Sequence, residues 1–521
     1  MYRILFTFLL HFYFSFTWSQ TYNIIDYGAK PEADFINTNA INSAINECSS
    51  KGGGKILIPK GEFITGTIHL KSNIHLHLEQ GAVLIGSLNI DDYDIMPEGY
   101  YYSGKNYMGI LFGNDITNVS ISGAGTINGQ GTSFMIENTR FSPSIEEREY
   151  TLQKEEYRDT LLLEDGPLKF IERPGHILTV SNSENISIKD IFFIDSPKWT
   201  IRVGGSEHVK ISDITIKNNL LIPNSDGIHI TSSNFVNVSD STVIAGDDAL
   251  IVTGFISGNE NYTFGNNSKE ANNIIFDNCI VTSKSAGIRV GYGEKPIKNV
   301  IFNDIIITDS NRGIGIFSRD DSSISNVYFS NIMIETRLHS DGWWGKSEPI
   351  HISAIPSSAK GKTGMISKII FNNVSAESES GIVIYSEPEN KIEKIKMNGL
   401  KVKIKEGKYT EKYGGNFDLR PAASNKKGIF QHNIPAFYAR GVKDLELDDI
   451  SIKWGNPKAS FFTHGLEAEN FENLIVRNFN IDIAKRNKNL DNIKLKQGKN
   501  YIFINDLSFD KKTKISYPQN K

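Results

Sequence analysis

NISIKDIFF, residues 185–193, decides the fold because its pattern returns nine more times along the chain. The pattern is a polar residue, two apolar residues separated by one position, a polar pair that usually contains Asn or Asp, and two more separated apolar residues. The further copies begin at His208, Phe235, Asn273, Asn299, Asn326, Lys368, Lys394, Asp444 and Asn473. Alternation of this kind is typical of short β-strands with one buried face.

The spacing of the copies predicts how the strands are arranged. Neighbouring copies begin 23 to 29 residues apart in most places and 38, 42 or 50 residues apart elsewhere. The short intervals fit one solenoid coil of several strands, and the long intervals fit coils that carry loop insertions. Asn and Asp tolerate the left-handed backbone of a turn and can stack into a ladder. The sequence therefore predicts an all-β fold, a right-handed parallel β-helix.

An amphipathic helix precedes the repeats and is expected to cap the solenoid. Asn37 and Thr38 can begin a helix, and Gly52 to Gly54 can end it. The apolar residues at helical spacing between them are Ala40, Ile41, Ala44, Ile45 and Cys48. We predict a β-helix over residues 21–484 and a C-terminal cap or tail over residues 485–521.

Residues 1–20 have the pattern of a secretory signal peptide. Arg3 precedes an apolar run from Ile4 to Trp18, and Ser19 and Gln20 follow it. The run is short, and no stop-transfer pattern follows, so we predict no membrane span. No cysteine follows the run as it would in a lipoprotein. The protein is therefore expected to be secreted or periplasmic.

Composition excludes several classes of partner. The 521 residues carry a formal net charge of −4 and no basic block, which argues against nucleic acid. Cys48 and Cys279 lie too far apart in sequence for a disulfide framework or a metal motif, and we expect both to be buried. We predict no metal, no cofactor and a monomeric protein.

Three insertions interrupt the repeats: residues 129–169, 337–362 and 405–434. The first is rich in charged residues, including EEREY and QKEEYRDT, and is expected to contain helix. Long loops on a rigid scaffold are where binding residues are usually found.

Two acidic phrases stand about twenty residues apart: NSDGIHI, from Asn224, and GDDALIV, from Gly246. Each reads as a turn that enters a strand. On successive coils the two strands lie about 4.8 Å apart, which brings Asp226, Asp247 and Asp248 together. Hydrolysis of a glycosidic bond requires a carboxylic acid and a carboxylate. The alternative is that these Asp residues only mark turns.

The chain resembles glycoside hydrolase family 28, the polygalacturonase-like β-helix enzymes, over residues 22–480. The resemblance rests on NIIDYGAK at the start, on SPKWTIRV before the acidic phrases, and on NSDG and GDD themselves. It implies an inverting hydrolase in which Asp247 is the general acid. Asp226 and Asp248 would position and deprotonate water, and Asn224 would contact substrate.

The chain departs from the family pattern at two places. Ala286-Gly287 stands where the family has Gly-His-Gly, and Gly315-Ile316-Phe317 stands where it has Arg-Ile-Lys. The residues that hold the substrate carboxylate in the family are therefore missing. Because a buried anion without a cation costs several kcal/mol, another cation must hold it or the sugar must be neutral.

The predicted register offers replacements. One column contains Asp226, Asp248, Ala286 and Arg312, and a second contains Arg202, His229, Ile251, Arg289 and Gly315. A guanidinium pair of Arg289 and Arg312 would bind a carboxylate or sulfate. The alternative is that both arginines are solvated. We predict sugar contacts for His229 and Arg202, with exposed strand residues as the alternative.

Trp343 and Trp344, between two glycines, form either a sugar platform or a loop anchor. His339, Asp341 and Lys346 flank them and are candidates to reach the cleft. Arg173 and Arg420 are interpreted as buried structural arginines.

These residues predict an enzyme that cleaves an acidic polysaccharide, pectin-like or algal, or its oligosaccharides. Two other functions remain open. A β-helix polysaccharide lyase would use Ca²⁺ and an arginine base, for which Arg289 is a candidate. A non-catalytic carbohydrate-binding β-helix would not need all three Asp residues.

Overall fold

A computed structural model of the chain describes residues 20–96, 106–140, 165–255, 269–340, 342–358, 361–387, 391–422, 428–481, 490–504 and 515–516. The predicted signal peptide, the charged part of the first insertion and Asp341 lie outside these residues. Within them, no helix has the length and apolar character to cross a membrane.

The described elements are two α-helices, three short 3-10 helices (Ile24–Tyr27, Ile90–Asp92 and Gly131–Phe134) and 38 strands. The α-helices are α1 (Thr38–Ser50) and α2 (Thr410–Tyr413). The first strands are β1 (Thr21–Asn23), β2 (Gly54–Ile58), β3 (Gly61–Thr65), β4 (Ile68–His69), β5 (Ile74–Leu78), β6 (Ala82–Gly86), β7 (Leu111–Asn114), β8 (Thr117–Gly123), β9 (Thr126–Asn128), β10 (Met135–Arg140) and β11 (Leu168–Phe170). The middle strands are β12 (Leu178–Ser181), β13 (Glu184–Lys189), β14 (Phe192–Ile194), β15 (Ile201–Gly204), β16 (Glu207–Ser212), β17 (Thr215–Lys217), β18 (Ile228–Thr231), β19 (Asn234–Ala245), β20 (Leu250–Gly254), β21 (Ala271–Ser283), β22 (Ala286–Gly293), β23 (Ile297–Ser310) and β24 (Arg312–Ser318). The last strands are β25 (Ile324–Thr336), β26 (Ile350–Ala354), β27 (Ile366–Ser378), β28 (Ile382–Ser386), β29 (Ile392–Ile404), β30 (Asn416–Asp418), β31 (Ile429–Gln431), β32 (Phe437–Arg440), β33 (Val442–Trp454), β34 (Leu466–Glu469), β35 (Glu472–Ile481), β36 (Ile493–Lys496), β37 (Lys499–Ile504) and β38 (Ile515–Ser516).

These strands form two long parallel sheets, which confirms the predicted right-handed parallel β-helix. The narrow sheet contains β4, β7, β12, β15, β18, β20, β22, β24, β26, β28, β32, β34, β36 and β38 in spatial order. The wide sheet contains the other strands except for two antiparallel hairpins, β10–β11 and β30–β31. Each coil passes through the wide sheet, turns, and returns through the narrow sheet.

The repeated phrases build the wide sheet and its core. In β23, Val300, Phe302, Ile305 and Ile307 point inward and are buried, as the alternation predicts. The same position on four successive coils is phenylalanine. The stacked rings of Phe276, Phe302, Phe329 and Phe371 have centroids 4.9, 5.1 and 4.7 Å apart.

The turns of the coils carry the predicted polar ladder. Asn299 and Asn326 have left-handed backbone, with φ of 55° each. The amide of Asn326 donates to Oδ1 of Asn299 at 3.2 Å, and the amide of Asn299 donates to Asn272 at 2.9 Å. The ladder therefore links successive coils along the solenoid axis.

The ends of the solenoid differ in part from prediction. α1 covers the first coil with the five predicted apolar residues buried, but the Asn37 side chain makes no hydrogen bond to the helix start. It accepts from the backbone N–H of Lys30 at 2.7 Å instead. At the other end, β36 pairs with β34 and β37 pairs with β35, so coiling continues past residue 485.

All three insertions leave the coil at the same kind of turn. They connect β9 to β12, β25 to β26 and β29 to β32, which in each case is a wide-sheet strand to a narrow-sheet strand. The insertions therefore stand along one side of the narrow sheet.

Candidate active site

The two acidic phrases lie on adjacent coils at the start of β18 and β20. The backbone N–H of Gly227 donates to the carbonyl of Asp248 at 2.9 Å, which fixes one phrase against the other. Gly246 is required for this approach, because a Cβ there would lie 2.5 Å from the carbonyl oxygen of Ile222. The three carboxyl groups are thereby brought to one place on the narrow sheet.

The predicted register of the narrow sheet is confirmed. Arg202 pairs with His229, His229 with Ile251, Ile251 with Arg289, and Arg289 with Gly315. Ala286 pairs with Arg312 in the neighbouring column.

Asp226 and Asp248 converge on Arg289. Nε of Arg289 lies 2.7 Å from Oδ2 of Asp248, and Nη2 lies 4.0 Å from Oδ2 of Asp226. The guanidinium also lies over the ring of Tyr292, at 4.4 Å from its centroid. Burial opposes its charge, but the carboxylate of Asp248 raises the pKa of Arg289 above its ordinary value. Arg289 is thus a counter-ion within the acidic cluster and is not a solvated arginine.

Asp247 is held differently. Its Oδ1 accepts the N–H of Asp248 at 3.0 Å, and its Oδ2 accepts the N–H of Asn224 at 3.3 Å. Asp248, in contrast, accepts the N–H of Ala286 at 2.8 Å through Oδ1. Only Asp247 of the three is more than slightly exposed.

Electrostatics raise two of the three carboxyl pKa values. Burial, followed by the charge of Asp248, raises the pKa of Asp247 to about 7. Burial and the charges of Asp247 and Asp248 raise the pKa of Asp226 well above its usual range. Because these two carboxyl groups interact, protonation of one changes the pKa of the other, and they titrate as a pair.

His229 and Arg202 lie beneath this cluster and have no exposed surface. Nδ1 of His229 lies 3.5 Å from Oδ2 of Asp226, and Nε2 lies 3.1 Å from the hydroxyl of Thr253. The His229 ring stacks on Trp199, with centroids 3.8 Å apart. Burial lowers the pKa of His229 well below its usual value, so it is neutral. In this structure both residues support the site from below and offer no face to a sugar.

Arg312 is also buried, and it has partners of its own. Its Nε lies 3.6 Å from Oε2 of Glu348, and its Nη2 donates to the carbonyl of Asp418 at 3.0 Å. Phe317 is fully buried and folds over Gly315, between the guanidinium groups of Arg312 and Arg319. The position that replaces the family lysine therefore lines no part of an open cleft.

Trp343 and Trp344 have opposite environments. Trp343 is buried, and its Nε1–H donates to the carbonyl of Asp165 in the first insertion at 2.6 Å. Its own carbonyl accepts from Arg420 in the third insertion at 3.0 Å. Trp344 is 41% exposed. Trp343 is thus the predicted loop anchor, and Trp344 is the one of the pair that is available to a sugar.

The residues around Trp343 are structural. His339 is buried and lies 3.3 Å from Asp165 and 3.1 Å from Nζ of Lys284. Lys346 is buried, with its ammonium 5.4 Å from the centroid of the Tyr413 ring. Arg420 is buried and paired with Asp418 at 2.7 Å, in agreement with its interpretation as a structural arginine.

Lys198, which sequence reasoning missed, lies on the N-terminal side of the acidic cluster beside Arg173, one of the two arginines interpreted as structural. Arg173 is buried, and its Nη2 donates to Oδ1 of Asn224 at 3.4 Å. Burial lowers its pKa to about 9. Lys198 is partly exposed, and burial followed by the charge of Arg173 lowers its pKa to about 8. The position of Lys198 in SPKW, one coil before NSDG, is the signal that points to it.

Metal binding has no support among the residues that the structure describes, since they contain no group of three His, Cys, Asp or Glu placed to hold an ion.

Comparison with known sequences places this site in context. A family model described as "Glycosyl hydrolases family 28" matches residues 169–414. "Probable polygalacturonase" of Vitis vinifera is 28% identical over 240 residues, which are 44% of this chain and 43% of that protein. "Exo-poly-alpha-D-galacturonosidase" of Dickeya chrysanthemi is 39% identical over 121 residues, which are 21% of this chain and 19% of that protein. The chain thus spans less than half the length of these two relatives.

Among solved structures, the "Family 28 Exopolygalacturonase" of Yersinia enterocolitica superposes with a TM-score of 0.61. The match covers 89% of this chain and 78% of that chain at 17% sequence identity. At this identity the likeness establishes the shared fold.

Proposed function

We propose that this chain, whose residues 169–414 match the model described as "Glycosyl hydrolases family 28", is a secreted glycoside hydrolase of that family. Its substrate is an acidic polysaccharide of pectin-like character, or oligosaccharides derived from it. One observation is the main support for the proposal. Asp226 and Asp248 both lie beside Arg289, whereas Asp247 is held apart from it by a backbone N–H group.

Asp247 is the general acid. A pKa of about 7 keeps a large fraction of this carboxyl group protonated at neutral pH, which the departing glycosidic oxygen requires. It is also the most exposed of the three, so substrate can reach it. As the bond to the leaving oxygen breaks, the Asp247 proton moves to that oxygen.

Asp248 deprotonates the attacking water, and Asp226, whose raised pKa favours its protonated form, helps to position that water. Arg289 stabilises this pair as the water loses its proton. The water oxygen bonds to the anomeric carbon as the leaving group departs, so the configuration inverts. His229, 3.5 Å from Asp226, holds that carboxyl group in place.

The substrate anion is assigned to Lys198, on the N-terminal side of the acidic cluster. This differs from the expectation for Arg289 and Arg312, because both of those guanidinium groups are buried among the protein's own groups, whereas Lys198 is partly exposed and can be reached by substrate. Lys198 and Arg173 together form a partly buried cationic region in which burial, and then the charge of Arg173, disfavour the charged form of Lys198. A bound uronate carboxylate would relieve that repulsion.

Trp344 and Asn224 complete the proposed contacts. The exposed indole of Trp344 offers a flat apolar surface for the C–H face of a sugar. Trp343 fastens this loop to both other insertions, which walls the narrow sheet beyond Gly315. A walled groove favours attack near a chain end or on short oligosaccharides.

The test is a panel of pectic and algal polysaccharides incubated with purified protein, with release of reducing ends as the measurement. The matched control is Asp247→Asn, which keeps the side-chain shape but has no proton to donate. NMR of the first product anomer checks inversion. If wild type and control release equally little from every polymer, while both bind one of them, the protein is a binding module. An unsaturated product would identify a lyase.

A further inference from the structure

A cavity opens on the same face of the solenoid, far beyond the acidic cluster. It has a volume of about 720 Å³. Residues from α2, the end of β31, the loop before β34 and the strand β36 line it. Neither the three Asp residues nor Lys198 contributes to it.

The register places this cavity in line with the active site. Starting from Arg289, the paired residues on successive narrow-sheet strands are Gly315, His351, Val383, Tyr438 and Glu467. Five steps of about 4.8 Å put Glu467 about 24 Å from Arg289 along the solenoid axis. Residues of the third insertion line this cavity, and Glu467 shares a narrow-sheet column with Arg289, so the cavity is a separate site on the same face.

Glu467 is the fixed polar group of the cavity. It is 1% exposed, and its Oε1 lies 2.9 Å from Nζ of Lys494 and 3.8 Å from Nε2 of His432. Burial opposes its charge, but Lys494 and then His432 lower its pKa below the usual value, so the carboxylate stays ionised. A carboxylate, an ammonium and an imidazole held together offer both acceptors and donors to hydroxyl groups.

An apolar ring completes the cavity. The Phe461 ring is partly exposed and packs closely on the backbone of Gly414 in the third insertion. The approach is so close that a Cβ atom on Gly414 would lie only 2.7 Å from the ring. Gln431 is exposed at the rim. One aromatic face surrounded by fixed polar groups is the composition of a sugar-binding pocket.

The charge of the lining selects the type of sugar. Glu411 and Glu467 contribute two carboxylates, against the ammonium of Lys494 in the lining and that of Lys496 beside it, 3.2 Å from Oε1 of Glu467. Burial lowers the pKa of His464, which is therefore uncharged at neutral pH. Carboxylates match the ammonium groups in this balance, so the cavity does not favour a uronate as the cationic region at Lys198 does.

We propose that this cavity is a secondary carbohydrate-binding site that holds a neutral-sugar segment of the substrate polysaccharide. This proposal rests on the proposed function, because it assumes that the polysaccharide bound here is also the one cleaved at the Asp cluster. The site anchors the polymer about 24 Å from the point of cleavage, which raises the local concentration of cleavable chain.

The binding test uses Asp247→Asn protein, so that no ligand is consumed. A neutral tetrasaccharide of galactose and a tetramer of galacturonate are titrated by calorimetry. The neutral ligand should bind, and adding Phe461→Ala or Gln431→Ala should weaken its binding by about tenfold, the effect of one lost stacking or hydrogen-bonding contact. Tyr328→Ala, which removes an exposed ring from β25 in the wide sheet, is the matched control and should change nothing.

The activity test separates the two sites. Phe461→Ala with the catalytic residues intact should reduce turnover of a branched polymer that carries neutral chains, and leave turnover of a short galacturonate oligomer unchanged. Absence of neutral-ligand binding, or equal binding by wild type and both rim variants, would overturn the proposal. Because the titration requires no cleavage, failure of the proposed enzyme activity would leave that result interpretable.

Discussion

Nε of Arg289 lies 2.7 Å from Oδ2 of Asp248, so the cation nearest the three carboxyl groups is bound to one of them. In a chain without the family's Arg-Ile-Lys phrase, this arginine was the natural candidate for gripping a substrate anion. Its pairing assigns it to the acidic cluster instead.

Asp247→Asn is expected to lower kcat by about 100- to 10,000-fold, the usual contribution of a general acid. Folding should be retained, because the amide keeps the shape of the side chain and its carbonyl oxygen can still accept one of the two backbone N–H groups, that of Asp248 or that of Asn224. Reducing-end release and thermal melting measure the two properties. A well-folded variant with near-normal kcat would remove Asp247 from the acid role.

The rate should fall as pH rises through about 7, because the proton that Asp247 must donate is lost there. Below that pH the acid is protonated, so this residue causes no loss. The measurement is kcat against pH. A nitrophenyl glycoside needs little protonation of its leaving group, so its rate should not show the same decline. A decline of equal size on both substrates would assign the titration to another group.

Arg289→Met should lower kcat/KM by about 100-fold or more, and equally on charged and neutral substrates, because it leaves Asp226 and Asp248 without their buried counter-ion. Arg289→Lys keeps a charge and serves as the folding control. A loss confined to the charged substrate would restore the anion-binding role for Arg289.

Lys198→Met should behave in the opposite way. We expect a loss of about 10- to 100-fold in kcat/KM on a galacturonate oligomer, the value of one hydrogen bond to a charged group. A carboxyl-reduced oligomer should be cleaved at the wild-type rate. Lys346→Met, in a buried position beside Tyr413, is the comparison for a lysine outside the cationic region. Equal losses on both oligomers would show that Lys198 does not contact the anion.

The two tryptophans should separate stability from binding. Trp343→Phe removes the hydrogen bond to Asp165 and should lower the free energy of unfolding by about 1 kcal/mol. Trp344→Ala should leave melting unchanged and raise KM for an oligosaccharide by about tenfold. Melting curves and initial rates on both variants check this, and a stability loss from Trp344→Ala would contradict it.

The sequence predicted the solenoid because each coil repeats the same alternation. Inward positions such as Phe302 and Phe329 recur at one interval, and so do the turn residues Asn299 and Asn326. For the same reason, the repeat length alone predicted which narrow-sheet residues from Arg202 to Gly315 lie side by side on successive coils. Register fixes which residues are neighbours on adjacent strands.

Register does not fix what a long side chain meets. Arg289 and Arg312 stand on the predicted columns, but their partners depend on side-chain direction and, for Arg312, on Glu348 and Asp418 in two insertions. The burial of Trp343 depends on Asp165 in the same way. Insertions have no period, so contacts between them leave no pattern in the sequence.

The hydrogen bond between Trp343 and Asp165 spans 178 positions of the chain, whereas each coil contacts only the coils beside it. A solenoid can nucleate at any coil and grow by adding neighbours. The Trp343–Asp165 hydrogen bond joins two insertions, and it cannot form until the coils that separate them are in place. Closing a long loop costs conformational entropy before its contacts are made. Fluorescence of Trp343 should therefore reach its native value late in refolding, after the backbone signal of the sheets. The groove would therefore be the last part of the molecule to fold. Enzyme activity would appear only when folding is complete.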